Sequence, residues 1–141
     1  METGADQLER ILPPVNALTA PYWNAAKEHR FVLPKCTACG RYHFYPRSVC
    51  PYCRSRDLTW EAASGSGEVY SFTIVHRAPS PTFAQRAPYV VAVVTLREGP
   101  RMMTRLDGVE PTAVRIGMPV SVAFDDIADS VSLPVFRPAG G

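Results

Sequence analysis

The only four cysteines of this 141-residue chain lie within one short window and form two Cys-x-x-Cys pairs. The four positions are Cys36, Cys39, Cys50 and Cys53. Two such pairs joined by a short loop can place four thiolates at the corners of a tetrahedron, the geometry of closed structural Zn²⁺ sites. Gly40 follows the first pair and permits a tight turn, because glycine adopts positive φ without strain. The sequence therefore predicts a zinc ribbon, and four protein ligands leave its metal no position for a substrate.

Three other uses of the cysteines stay open on sequence grounds. A redox-active Cys-x-x-Cys needs only one pair, preferably at a helix N-terminus. Two disulfides suit a secreted protein, but the first twelve residues are polar and acidic, unlike a signal peptide. Rubredoxin-type iron would use the same four thiolates. Reduced thiols, and the lack of an apolar run of about 20 residues, lead us to expect a soluble, cytoplasmic protein without a membrane partner.

Groups that could catalyse a reaction are scarce in the sequence. No nucleophile elbow, P-loop or dinucleotide fingerprint is present. Asp125 and Asp126 are neighbours on a predicted strand and should point to opposite faces. His43 lies between the cysteine pairs, where we expect a histidine on a strand surface rather than a fifth ligand. His76 is the best candidate base, yet it has no evident carboxylate partner. These residues indicate a non-catalytic binding module.

Charge is distributed unevenly along the chain. The formal charge is +2, which four thiolates and one Zn²⁺ would bring to about zero. Residues 27–56 contain seven basic residues and one acid, whereas residues 107–129 contain five acids and one arginine. The basic side chains either offset the charge of the metal site or contact an anionic partner. The candidate contacts in the ribbon are Arg41, Arg47 and Arg54.

Two short helices are predicted before the ribbon. Residues 1–12 can form the first, and Pro13 and Pro14 would end it. The second should begin with Thr19 as its cap and continue to His29. We treat residues 1–30 as a helical docking segment. Tyr22 and Trp23 are either anchors for a partner or part of the protein's own core.

The remaining pattern predicts a mainly β protein. We assign residues 31–63 to a rubredoxin-like zinc ribbon, with strands near Tyr42–Tyr45 and Leu58–Glu61. Residues 64–67 would be a flexible hinge, and residues 67–138 a five-stranded OB-fold barrel. Its predicted strands are Glu68–His76, Tyr89–Leu96, Arg101–Leu106, Pro119–Phe124 and Ser130–Phe136. The apolar run in the second of them suggests a strand covered on both sides.

A long connection joins the first two barrel strands. It runs from Arg77 to Pro88, holds three prolines, and has Phe83 near its middle. The corresponding loop of OB folds commonly frames the ligand site. Arg77 and Phe83 are therefore candidate ligand or partner contacts, and an ordinary loop with one buried phenylalanine is the alternative.

The order of these motifs resembles the zinc-ribbon, OB-fold acyl-CoA-associated proteins, a family long classed as a domain of unknown function. The resemblance runs from about Pro13 to Pro138. Its motifs are Tyr22-Trp23, the two cysteine pairs, Gly65-x-Gly67-x-Val69-Tyr70-Ser71-Phe72-Thr73, Pro88-Tyr89-Val90-Val91-Ala92, Glu98-Gly99-Pro100-Arg101, Ile116-Gly117-Met118-Pro119-Val120 and Leu133-Pro134-x-Phe136-Arg137-Pro138.

The resemblance implies a non-catalytic accessory subunit in a hetero-oligomer with a thiolase-superfamily enzyme. The implied partner is of the acetyltransferase type, or a lipid-transfer-protein-type aldolase acting on steroid side-chain CoA esters. Some relatives instead work with MaoC-like enoyl-CoA hydratases. The ribbon arginines could then approach the phosphates of acyl-CoA. Two rivals are weaker: single-stranded nucleic-acid binding, which the acidic barrel half opposes, and an autonomous CoA-ester enzyme, which lacks a nucleophile.

Overall fold

The computed structural model describes residue 13, residues 15–77 and residues 88–139. One α-helix, α1, spans Ala20–Lys27. Two strands of the ribbon follow, β1 (Val32–Cys36) and β2 (Leu58–Ala62). The barrel strands are β3 (Ser66–Val75), β4 (Tyr89–Leu96), β5 (Arg101–Leu106), β6 (Pro119–Ala128) and β7 (Val131–Pro138). The predicted helix over residues 1–12 falls outside the described residues.

Helix α1 begins where the sequence predicts and ends two residues earlier. A proline in its first turn is compatible with the helix because that position needs no backbone donor. Thr19 precedes the helix without capping it, since its hydroxyl instead accepts a hydrogen bond from the N–H of Asn16 at 3.2 Å. The predicted end at His29 is wrong because that residue has φ +60°, which no right-handed helix contains.

The ribbon sheet is smaller than predicted. Strands β1 and β2 pair antiparallel, from Val32 opposite Ala62 to Cys36 opposite Leu58. The strand predicted at Tyr42–Tyr45 is reduced to a single bridge between Lys35 and Tyr42. The next pair brings the N–H of His43 to the carbonyl of Pro34 at 3.1 Å. Proline has no N–H to return that bond, so the ladder stops there.

Strands β3 to β7 close into a barrel in the order β3-β4-β5-β7-β6, which is the five-stranded OB-fold. Neighbouring strands are antiparallel except β5 and β7, which meet in parallel at Leu106 and Phe136. Five predicted strands are therefore confirmed, although β6 extends four residues further than expected. The long connection before β6 contains one 3₁₀ turn, Pro111–Ala113.

Strand β4 is covered on one side only. Its residues alternate strictly, with Val90, Ala92, Val94 and Leu96 buried in the barrel and the residues between them half-exposed. The expectation of a strand covered on both sides is wrong for this chain. Valine suits either side of a strand, so an apolar run cannot distinguish the barrel interior from an outer face.

The segment between ribbon and barrel is held in place rather than hinged. Gly65 is buried with φ +76°, and a Cβ there would lie 2.5 Å from Cγ1 of Val122. Its carbonyl accepts the N–H of Val122 at 2.8 Å, and the N–H of Ser64 donates to Glu98 at 2.7 Å. The flexible hinge predicted over residues 64–67 is therefore wrong, because these hydrogen bonds join the segment to the barrel.

One hydrophobic core runs through the helix, the ribbon and the barrel. Trp23 and Ala26 of α1 belong to the same buried cluster as Leu33 of β1 and Phe136 of β7. Phe31 packs edge-on against Phe136, with the ring centroids 6.2 Å apart. The ribbon is thus positioned by the barrel as well as by its own short sheet.

Candidate metal centre and surrounding surfaces

The two cysteine pairs have the same backbone hydrogen-bond pattern. The N–H of Gly40 donates to the carbonyl of Cys36 at 2.8 Å, and the N–H of Arg54 donates to that of Cys50 at 2.9 Å. Both donors have left-handed backbones, with φ +80° at Gly40 and +66° at Arg54. We call each cysteine pair with its turn a knuckle. The second knuckle therefore makes with arginine the same turn that the first makes with glycine.

The four sulfur atoms converge as a tetrahedral metal site requires. All four lie within 4.8 Å of one another, with Cys36 to Cys53 at 3.5 Å and Cys39 to Cys50 at 3.7 Å. Zinc–sulfur bonds of about 2.3 Å in a tetrahedron imply sulfur separations of about 3.8 Å. The donor set and its spacing fit one Zn²⁺, and the predicted zinc cofactor is confirmed by a zinc ribbon domain whose four cysteines are positioned to bind a metal ion.

Backbone donors favour the thiolate form of two of the sulfurs, those of Cys36 and Cys50. The N–H of Cys39 approaches Cys36 Sγ at 3.5 Å and lowers the pKa of that thiol. Burial raises the pKa of Cys50, but the N–H groups of Cys53 and Tyr52 outweigh it and bring the pKa to about 7. A cation at the centre would favour all four thiolates together and displace the remaining protons.

His43 is buried rather than on a strand surface. Its side chain is 2 % exposed, and neither ring nitrogen has a hydrogen-bond partner among the described residues. Burial, assisted by the charge of Arg47, lowers the pKa of His43, so the ring is neutral at pH 7. The expectation of a surface histidine is wrong, and His43 is outside the group of sulfur ligands.

The predicted ribbon arginines are all on the surface. Arg41 stacks over the ring of Tyr52, with its guanidinium carbon 4.7 Å from the ring centroid. Both line a cavity of about 390 Å³ between the first knuckle and the β4–β5 turn. Glu98 also lines this cavity, so the cavity wall carries one positive side chain, Arg41, and one negative side chain, Glu98. Arg47 and Arg54 are exposed without a described ion-pair partner.

The other four candidate contact residues differ in their surroundings. Tyr22 and Trp23 are buried against their own chain, with ring centroids 5.0 Å apart, so the core alternative is the one the structure shows. Burial raises the pKa of Tyr22 well above its usual range. Arg77 is exposed just after β3. Phe83 falls outside the described residues.

Two charged clusters on the barrel were not predicted. Arg105 donates to both carboxylate oxygens of Asp107 and to Asp125, and these bonds raise its pKa. Asp126 contacts His29 at 2.9 Å and accepts the hydroxyl of Ser132. The paired aspartates therefore have different partners, as expected for neighbours on a strand. Only the folded barrel brings these groups together, because up to 97 residues separate them in sequence.

Within the described part of the chain, no helix is long and apolar enough to cross a bilayer.

Known proteins resemble this chain over both halves. Residues 23–59 match the family of ChsH2 rubredoxin-like zinc ribbon domains, and residues 60–125 match the ChsH2 C-terminal OB-fold domain. A chain solved as an "Ltp2-ChsH2(DUF35) aldolase" is 41% identical, with a TM-score of 0.82, over 91% of this chain and 99% of that chain.

Curated relatives have two kinds of name. A "DUF35 domain-containing scaffold protein" of Methanocaldococcus jannaschii is 37% identical over 76% of this chain and 77% of that protein. A "probable enoyl-CoA hydratase alpha subunit" of Thermomonospora curvata is 42% identical over 92% of this chain, which spans only 40% of that relative's length. The chain belongs to the DUF35 family and combines a ChsH2-type zinc ribbon with a ChsH2-type OB-fold domain.

Proposed function

We propose that this protein is a non-catalytic accessory subunit that binds a thiolase-superfamily enzyme and supports acyl-CoA binding or channelling in the complex. The observation that carries this proposal is the 41% identity to a chain of the Ltp2–ChsH2(DUF35) aldolase, which extends over 99% of that chain. A match of such length means that the two chains share their whole framework rather than one motif.

The chemistry of the metal site supports an accessory role. Four sulfur ligands satisfy tetrahedral zinc, so the bound ion has no open position to polarise a substrate or activate water. Among the described residues, the buried His43 is neutral but has no carboxylate partner to orient it as a base. The catalytic groups of the complex would therefore come from the partner enzyme.

Contact with acyl-CoA would involve the ribbon arginines. Arg41, Arg47 and Arg54 are exposed around the metal centre, and guanidinium groups bind phosphates through paired hydrogen bonds. The stacked ring of Tyr52 holds Arg41 in one orientation. These three residues would face the phosphates of CoA or acidic groups of the partner.

A hydratase partner is the second candidate. The Thermomonospora curvata relative is named a hydratase alpha subunit, and the present chain matches two fifths of its length. The shared portion would then act beside a MaoC-like hydratase rather than an aldolase. Both candidates assign the same accessory role to the ribbon and barrel.

Tagged purification from the native host tests the proposal. We expect a stoichiometric thiolase-type enzyme in the eluate, identified by mass spectrometry, with a 260/280 nm absorbance ratio typical of protein alone. A stoichiometric hydratase in its place would select the second candidate. Nucleic acid that survives moderate salt, with no enzyme present, would contradict both and favour the oligonucleotide-binding role of other OB folds.

The role of the arginines has its own test. Arg41→Gln, Arg47→Gln and Arg54→Gln should each weaken acyl-CoA or partner binding severalfold, because each removes a charged donor. Arg115→Gln is the matched control, as Arg115 is equally exposed but lies in the acidic half of the chain. Calorimetry or fluorescence titration gives the dissociation constants. Unchanged affinity in all three variants would remove the ribbon arginines from the binding surface.

A further inference from the structure

The outer side of strands β3, β4 and β5 forms a continuous surface. Directly paired residues of antiparallel strands point to the same face, and Val93 pairs with both Ser71 and Met103. In the adjacent row, Val91 pairs with Thr73 and Arg105. Val91, Val93 and Met103 therefore lie side by side outside the barrel.

This surface exposes unusually large apolar side chains. Met103 is 70% exposed although it lies within a strand, and Tyr70 is 52% exposed at the bulge of β3. Arg101 stacks on Tyr70, with its guanidinium carbon 3.8 Å from the ring centroid, and its Nε donates to Thr95 at 3.2 Å. We call Tyr70, Val91, Val93, Arg101 and Met103 the outer sheet face.

The composition of the outer sheet face is typical of a protein interface. Tyrosine, methionine and arginine are the residue types enriched at the centres of such interfaces. The Arg101–Tyr70 stack restrains two long side chains before any partner arrives, which reduces the entropy lost on binding. Helix α1 packs on β7, which lies on the other side of the barrel, so it leaves this face uncovered.

The charges of the face select the kind of partner. Arg105 is paired with both Asp107 and Asp125, so this cluster has one carboxylate in excess and Arg101 is the cation that remains available on this surface. Glu68 is exposed in the same row, opposite Thr95, which pairs with Arg101. The terminal nitrogens of Arg101 have no partner within the described residues and could receive a carboxylate. Apolar side chains beside charges of both signs suit a protein surface that offers a carboxylate to Arg101, and they do not suit a polyanion.

The size of the aldolase chain limits where such a partner can bind. That chain aligns with this one over 99% of its length, so it has hardly any residues outside the α1 segment, the ribbon and the barrel. In the accessory role proposed above, contact with the enzyme must therefore come from one of these three parts. On the barrel, the outer sheet face is the apolar surface that none of the described elements covers.

We propose that the outer sheet face is the surface on which this protein docks to its thiolase-superfamily enzyme, with Met103 and the Arg101–Tyr70 stack as the central contacts. The inference rests on the proposed function and adds to it the location and chemistry of the interface.

Methionine oxidation tests the location directly. Met102 and Met103 are neighbours on β5 with opposite environments, since Met102 is buried in the barrel. A brief treatment with dilute hydrogen peroxide should oxidise Met103 quickly and Met102 slowly in the free protein. In the complex with the enzyme recovered from the native host, Met103 should become as slow as Met102. Peptide mass spectrometry measures both rates in one digest, and equal Met103 rates with and without enzyme would overturn the proposal.

Substitution provides the second test. Met103→Glu should weaken enzyme binding at least about tenfold, because it places an unpaired charge at the centre of the contact. Ile116→Glu is the matched control: Ile116 is 64% exposed in the connection before β6, outside the outer sheet face, and its variant should bind within about twofold of wild type. Met103→Ala should lie between the two, and it tests the loss of contact without added charge.

The outcomes separate this inference from the proposed function. Recovery of no thiolase-superfamily enzyme would refute the function itself. An enzyme that binds wild type, Met103→Glu and Ile116→Glu equally would leave the function standing and refute the face. If Met103→Glu abolished self-association in light scattering but left enzyme binding unchanged, the face would instead join two copies of this chain, which also contradicts the proposal.

Discussion

At the scale of single residues, the metal centre is organised by positions that carry no metal ligand. Gly40 and Arg54 occupy equivalent left-handed positions behind the two knuckles. The N–H of each donates a hydrogen bond to the carbonyl of the first cysteine in the preceding Cys-x-x-Cys pair. The turns hold the sulfurs at spacings that suit zinc, so the ligands depend on their neighbours for geometry.

Removal of one sulfur should therefore dismantle the ribbon. Cys39→Ser is expected to lose zinc and to destabilise the ribbon severely, since structural zinc contributes on the order of 10 kcal/mol to such modules. Metal content by mass spectrometry and thermal unfolding measure the two effects. Thr37→Ser is the control, because serine keeps the hydroxyl that donates to the carbonyl of Asp57. A Cys39→Ser protein of unchanged stability would show that the knuckles are not metal-bound.

His43 should affect stability through burial rather than through the metal. His43→Leu is expected to retain zinc and to gain about 1–2 kcal/mol at pH 7, because leucine leaves no buried nitrogen unpaired. The folded pKa of His43 lies below its ordinary value of 6.5, so the unfolded chain binds the proton more readily. Wild-type stability should then fall as the pH drops below about 6.5, and His43→Leu should lose that part of the fall.

Denaturant unfolding at several pH values between about 5 and 8 measures this difference, because that range brackets the ordinary histidine pKa of about 6.5. His76→Leu is the control, since it also removes one imidazole but from an exposed position. Loss of zinc from His43→Leu would contradict the assignment and place His43 at the metal.

At the scale of elements, close backbone approach explains the Gly-x-Gly motif that begins the barrel. Gly67 of β3 lies so near β4 that an added Cβ would meet Cγ1 of Val94 at 2.6 Å and the carbonyl oxygen of Thr95 at 2.7 Å. The first contact involves a side chain that can move, whereas the second involves backbone. The motif thus allows β3 to pair with β4 and β6 at the same residue.

Gly67→Ala should consequently cost about 1–3 kcal/mol, the usual range for overpacking. The midpoint of thermal or denaturant unfolding reports the loss. Ser66→Ala, one residue earlier and exposed, should change stability little. A Gly67→Ala protein as stable as wild type would mean that β3 and β4 separate without cost at this position.

At the scale of the whole molecule, the ribbon and the barrel share one core. Phe31, which precedes β1, packs on Phe136 of β7, and Trp23 of α1 joins the same cluster. A hydrogen bond between His29 and Asp126 adds a polar contact between the end of the helix and the barrel. Boundaries drawn at residues 30, 63 and 67 remain a prediction, and this packing crosses them.

Zinc removal should therefore weaken the barrel as well as the ribbon. After treatment with a strong chelator, we expect faster amide hydrogen exchange in β7, where Val135 and Phe136 pack near the helix and Phe31. Strand β4 lies on the far side of the barrel and is an internal reference. Unchanged exchange throughout β7 would indicate that the barrel is stable without the ribbon.

The sequence by itself determined the ribbon with its four converging cysteines and the five barrel strands, because each depends on local spacing or alternation that neighbours along the chain already specify. Only the tertiary structure decided which apolar residues stay outside. Val91 and Val93 are the same residue type as the buried Val90 and Val94. Only the direction in which the sheet closes into a barrel decides which of these valines face its interior. His43 was misplaced for a related reason: its burial depends on packing between segments distant in sequence.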